Sequence, residues 1–167
     1  MSNPPLLKVV VAGDGTVGKT SLIRQYCEGR FEASRVATIG VDFQTKTVQL
    51  KQGIVKLSIW DMAGQDHFAS VRTGFYRGSR SAALVYDVTQ PETFANLPKW
   101  HQEILKAVPN QKFLVVGNKS DLNPDHDPTP AKLFAREINA PFVLTSAKTG
   151  EYVPHLFKFL ALLAFLK

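Results

Sequence analysis

A chain of 167 residues with 44% hydrophobic and 20% charged side chains has the length of one domain and an ordinary globular composition, which excludes a disordered or fibrous chain and leaves no room for a second catalytic domain. The formal charge of +6 is spread along the sequence, with Arg72, Arg77 and Arg80 the nearest approach to a cluster, so no nucleic-acid partner is expected. The single cysteine, Cys27, excludes an internal disulfide and fits a reducing, cytoplasmic setting, and no cysteine–histidine spacing suits zinc.

The first residues lack a basic segment followed by an apolar stretch, so no secretory signal is expected. Leu6–Ala12 is apolar apart from Lys8 and stops at Gly13, which predicts a strand buried on both faces. Gly13-Asp14-Gly15-Thr16-Val17-Gly18-Lys19-Thr20 follows, and residues 20–28 read as a helix. The run is glycine, four residues, glycine, lysine and threonine, set between a strand and a helix. There, glycines let backbone N–H groups turn inward around phosphate oxygens, and the helix N-terminus adds its positive end. At ordinary glycine usage such a match arises by chance in roughly one chain of this length in two hundred, so a plain glycine turn is set aside. Lys19 is placed to reach β- and γ-phosphates and Thr20 to bind magnesium, so a nucleotide is expected as its magnesium complex.

Val41–Leu50 alternates in part, and residues 54–60 carry Val55, Leu57 and Ile59 on one face; Lys51-Gln52-Gly53 between them makes a hairpin. Asp61 and Gly64 form a D-x-x-G, a pattern so short that about half of chains this long contain one by chance. Its position gives it meaning. At the end of the hairpin's second strand, a carboxylate can hold magnesium through water, and a glycine lets a backbone N–H approach the γ-phosphate. Gln65 follows and, both donating and accepting hydrogen bonds, suits the orientation of an attacking water.

Residues 82–88, 112–117 and 141–145 are further apolar runs, with helical patterns at 92–108, 131–139 and 152–166. Strands alternating with helices predict a mostly parallel sheet covered on both faces. The helix at 131–139 shows its start, with Thr129 as N-cap and Pro130 in the first helical position. Asp125-His126-Asp127, in the proline-rich loop before it, is expected to be a solvated loop, since consecutive residues do not easily converge on one ion. The apolar segment 156–166 is about half the ~20 residues a membrane span requires, and core packing is expected of it.

Asn118-Lys119-Ser120-Asp121 follows one apolar strand, and Ser146-Ala147-Lys148 follows the last. The Asp121 carboxylate can accept hydrogen bonds from both the N1–H and the exocyclic amine of guanine, a donor pair that adenine lacks, so GTP is selected over ATP. Both runs sit at the C-terminal ends of strands, where nucleotides bind in open α/β sheets.

Together these residues resemble the Ras superfamily of small GTPases over essentially the whole chain, and within it the Rab family most closely. Ile39-Gly40-Val41-Asp42-Phe43, Trp60-Asp61-Met62-Ala63-Gly64-Gln65 and Phe75-Tyr76-Arg77-Gly78-Ser79 carry the finer resemblance. It implies an α/β fold over residues 1–167: one P-loop small-GTPase domain whose mostly parallel six-stranded sheet has one antiparallel edge strand and helices on both faces. It implies GTP and GDP as substrate and product and magnesium held by Thr20, Thr38 and Asp61. Nucleotide contacts are implied from Gly15, Thr16, Val17, Gly18, Lys19, Thr20, Ser21, Phe31, Thr38, Gly64, Asn118, Lys119, Asp121, Ser146, Ala147 and Lys148. Of these, Lys19, Thr38 and Gly64 join Gln65 in hydrolysis, Phe31 packs near guanine, Lys119 lies along the base and the Ala147 N–H meets the guanine oxygen.

Effectors are implied at Ile39, Gly40 and the aromatic triad of Phe43, Trp60 and Phe75, with core packing the competing use of those rings. Partners implied are an exchange factor, an activating protein and effectors of a monomeric switch in membrane traffic. The chain departs from the Rab pattern at Met62 and at Asp66-His67, which puts ordinary switch partners in doubt. It ends at Phe165-Leu166-Lys167 without the prenylated cysteines usual in Rab proteins, so two alternatives stand: a variable tail follows, or the protein lacks a lipid anchor. A nucleotide-dependent interaction module with negligible hydrolysis and no lipid anchor is the alternative function, and a phosphate-loop kinase acting on a small molecule or nucleotide is a third.

Overall fold

The computed structural model describes residues 3–31, 41–62 and 69–166, with the backbone alone at 41 and 42. In chain order the elements are β1 (Leu6–Ala12), α1 (Lys19–Glu28), β2 (Val41–Leu50), β3 (Gly53–Met62), α2 (Ala69–Tyr76), β4 (Ser81–Asp87), α3 (Pro91–Ala95), α4 (Leu97–Ala107), β5 (Lys112–Asn118), α5 (Thr129–Glu137), β6 (Phe142–Leu144) and α6 (Val153–Phe165). A 3₁₀ turn, Ser120–Leu122, follows β5.

The strands form one sheet in the order β2-β3-β1-β4-β5-β6. Only the β2–β3 hairpin is antiparallel, and the other neighbours run parallel. The apolar runs explain this arrangement. Along β1, Val9 and Val11 enter a cluster with Leu22 of α1 and Phe157 and Leu160 of α6, while Val10 and Ala12 enter another with Tyr76 of α2, Trp100 and Ile104 of α4 and Ala131 of α5. A strand with helices on both sides has no polar face to show, and β4 at the centre buries all seven of its residues. The apolar α6 puts Val153, Leu156, Phe157, Leu160, Ala161 and Ala164 into the core, as expected. No helix among the described residues is long and apolar enough to cross a membrane.

Three local expectations are corrected. The single helix expected at 92–108 is two, α3 and α4, joined at Asn96. Pro98 has no N–H for the carbonyl four residues back, so it is accommodated in the first turn of a new helix. Helix α5 starts at Thr129, which is therefore not the cap; the Thr129 N–H donates to the Asp127 carboxylate at 3.0 Å. The loop before α5 is not wholly solvated either, because His126 is half-buried with Nε2 2.8 Å from the Tyr86 hydroxyl. Helix α2 has no counterpart among the expected elements.

Candidate functional site

The C-terminal ends of β1, β3, β4, β5 and β6 converge on one edge of the sheet, and the loop between β1 and α1 is built into it. Gly13 has φ +146°, and a Cβ there would lie 2.3 Å from the Val85 carbonyl oxygen of β4. Gly18 has φ +99°, and a Cβ there would lie 2.4 Å from Asn118 Nδ2. Only glycine fits either position, because both backbone angle and space exclude a side chain.

Lys19 opens α1 and is buried, and its ammonium donates to the carbonyls of Gly13 and Asp14, 2.9 Å from each. Burial pushes its pKa down to about 8 from 10.5, partly offset by the negative charges of Asp61 and Asp14; the positive charge of Arg72 acts with burial. One residue on, the Thr20 hydroxyl donates to Asp61 Oδ2 at 2.5 Å. Two hard oxygen donors from α1 and β3 thus stand side by side.

Asn118, at the end of β5, is a three-way clamp. Its amide N–H donates to the Val17 carbonyl at 2.9 Å, and its amide oxygen accepts from the Thr145 hydroxyl at 3.1 Å and from the Ala147 N–H at 3.3 Å. Lys119 adopts φ 65°, and its ammonium lies 2.8 Å from the Thr16 carbonyl and 3.0 Å from the buried Asp87 carboxylate. Asp121, on the 3₁₀ turn, accepts from the Ser146 hydroxyl at 2.8 Å; Ser146 Oγ in turn accepts the Thr149 N–H, and Gln25 of α1 donates to the Ala147 carbonyl. The phosphate-type loop, the Asn118–Asp121 run and the Ser146–Lys148 run are therefore one hydrogen-bonded unit.

The sequence model of the Ras family matches residues 8–164. The chain belongs to the Ras family. Proteins of the Ras family are in general GTP-binding switches with GTPase activity that carry magnesium and respond to regulators and effectors.

In this Ras-family protein the donor set suits a hard cation that shares its coordination with phosphate oxygens. Thr20 and Asp61 offer oxygens, while no group of three or more His, Cys, Asp or Glu that could cage a metal by itself occurs among the described residues. The remaining expected residues fall into three sets. Gly15, Thr16, Ser21 and Lys148 lie on the converging loops or the first turn of α1. Phe31 lies beyond α1 with 37% of its surface exposed. Thr38, Ile39, Gly40, Gly64 and Gln65 lie outside the described residues.

The rings of Phe43, Trp60 and Phe75 form a row, with centroids 5.1 Å and 5.4 Å apart. Trp60 and Phe75 pack on the core and Phe43 stays 55% exposed, so the row serves the core at one end and meets solvent at the other. Sequence reasoning missed Asp87, Thr145 and Gln25, which brace Lys119, Asn118 and Ala147. The one signal for Asp87 and Thr145 was a polar residue closing an apolar strand, the same signal that marked Asn118. It also missed Asn96 and Trp100, which donate to the Asp14 carboxylate at 2.7 Å and 2.9 Å.

Proposed function

We propose that the protein is a Rab-like switch whose residues 1–167 act as one GTPase domain, cycling between GDP and GTP states to recruit effectors in vesicle traffic. One observation carries the reading: the row from Phe43 through Trp60 to Phe75, continuous and open at Phe43, at the three positions where the resemblance puts the effector triad. Ile39 and Gly40 complete the surface in this reading. The row spans β2, β3 and α2, which flank the segments holding Thr38, Gly64 and Gln65, so a rearrangement of those segments would reach the ring packing. The proposed location is the cytosol, with membrane attachment only where a lipidated tail follows Lys167.

In the proposed site the phosphates lie against the backbone of Gly15 to Gly18 and the first turn of α1, including Ser21. The Lys19 ammonium exchanges the Gly13 and Asp14 carbonyls for the β- and γ-phosphates. Guanine lies beside Asn118, Lys119 and Ala147, with Phe31 and Lys148 at its edges, and Asp121 reads its two donors while Ser146 orients the carboxylate. Magnesium, held by Thr20, Thr38 and Asp61, supplies neutralisation of phosphate charge when bound. Gln65 holds the attacking water in line with the γ-phosphate, and Lys19 with the Gly64 N–H stabilises the charge that grows there. No arginine finger is assigned in cis, so hydrolysis is slow alone; an arginine from an activating protein is worth about 10³ to 10⁵ in rate.

Two measurements test this. Gln65→Leu should lower GTP turnover, and an unchanged rate overturns the role given to Gln65. Trp60 fluorescence, read in a Trp100→Phe variant, should change when GDP is exchanged for a non-hydrolysable GTP analogue. A signal indifferent to the nucleotide counts against the triad as the switch surface.

A further inference from the structure

Helix α2 carries a buried cation. Arg72 is 2% exposed, and it meets the Glu103 carboxylate of α4 through a two-pronged pair, Nε to Oε2 at 2.9 Å and Nη2 to Oε1 at 2.8 Å. The Tyr76 hydroxyl donates to the same carboxylate. A desolvated charge needs such pairing, and the planar fork fixes the orientation of the guanidinium as well as its position. The guanidinium also lies over the Trp100 ring, 4.4 Å from its centroid, where a desolvated cation is held by the ring's π-face.

The Trp100 side chain has one hydrogen-bond donor, and it is spent on the phosphate-type loop. The indole N–H donates to Asp14 Oδ1 at 2.9 Å while Asn96 donates to Oδ2, and the Asp14 carbonyl receives the Lys19 ammonium. A rigid ring thus touches α2 through its face and the loop through its edge. The Asp14 carboxylate, whose charge also favours the protonated Lys19, is turned toward α4, where Asn96 and Trp100 hold it.

We propose that Trp100 is a positioning residue for nucleotide retention, a relay through which the setting of Arg72 on α2 is felt by Asp14 and so by the loop around Lys19. Helix α2 follows the Gly64–Gln65 segment in the chain. A partner that displaces α2 would therefore loosen the phosphate loop without touching it. This rests on the nucleotide reading above.

The test is the dissociation rate of a fluorescent GDP from the full chain, with magnesium present throughout. Arg72→Lys keeps the buried charge but loses the planar stacking. It should speed release by about threefold or more in the wild-type background, the size expected of energetically coupled residues. Trp100→Phe keeps an aromatic ring beside Arg72 but removes the five-membered ring and with it the N–H donated to Asp14. In that background Arg72→Lys should leave the rate unchanged, and likewise in an Asp14→Ala background, which serves as the second arm should the tryptophan variant fold poorly. An effect of Arg72→Lys that persists undiminished in either background, or that is absent from the wild type, overturns the relay while leaving the nucleotide reading intact. A wild-type chain that binds no GDP overturns both.

Discussion

Replacing Asn118 with alanine removes all three bonds of the clamp and leaves the Val17 carbonyl, the Thr145 hydroxyl and the Ala147 N–H without that partner in places where water has little access; Thr145 is fully buried. At about 1 kcal/mol for each hydrogen bond, and more where a buried group is left unmatched, the loss is about 3 kcal/mol. Asn118→Asp separates the contributions. It keeps an acceptor for Thr145 and Ala147 but turns a carboxylate oxygen toward the Val17 carbonyl, replacing one attraction with a repulsion. Urea unfolding of the nucleotide-free chain should show a lowered midpoint with an unchanged slope for both variants. Release of GDP should quicken in both, since the clamp holds two loops of the site. A loss below about 1 kcal/mol for the alanine variant would show that the loops are held by something else.

Two further perturbations follow from the same edge of the sheet. Below about pH 8 Lys19 is protonated in the folded and unfolded chains alike; between about 8 and 10.5 the unfolded chain holds more protons, so this group's contribution to the stability of the nucleotide-free protein rises with pH across that window. Phosphate binds the ammonium form, so GDP binding should take up almost no proton on this account near pH 7 and a large fraction of one near pH 9, as calorimetry in two buffers of different ionisation enthalpy reads. Equal uptake at both would contradict the buried ammonium. Gly13→Ala should destabilise by about 3 kcal/mol or abolish folding, because its Cβ would lie 2.3 Å from a backbone oxygen at a positive φ, whereas Gly53→Ala meets no neighbouring atom and should cost only the strain of its φ. Matching denaturation midpoints for the two would refute the assigned contact.

Much of the fold was legible because each strand of the sheet's centre is short, apolar and closed by a polar residue or glycine, a pattern that requires no knowledge of partners. Helix α2 was not. Its sequence, Ala-Ser-Val-Arg-Thr-Gly-Phe-Tyr, puts a glycine inside the helix and shows no clean apolar stripe. What holds it is tertiary, the burial of Arg72 and Tyr76 against Glu103, 31 and 27 residues away. The break at Asn96 was written in Pro98 and was overridden by an apolar periodicity that runs through both helices. In the site, glycines and a lysine at fixed spacing announce a phosphate loop because the backbone geometry itself demands them. The groups that brace the loop lie far away in sequence, Trp100 86 residues from Asp14 and Asn118 101 from Val17, and no local pattern reports such a pairing.

The most direct test of the account is guanine selection. Affinities of fluorescent GDP and ADP should be measured side by side for the wild type and for Asp121→Asn. A site built to match two donors rejects a base that lacks them by about 10⁴-fold or more, and the amide, with an N–H group in place of one acceptor, should lose most of that preference. ADP binding as tight as GDP in the wild type, or a guanine preference that survives the substitution unchanged, would contradict it.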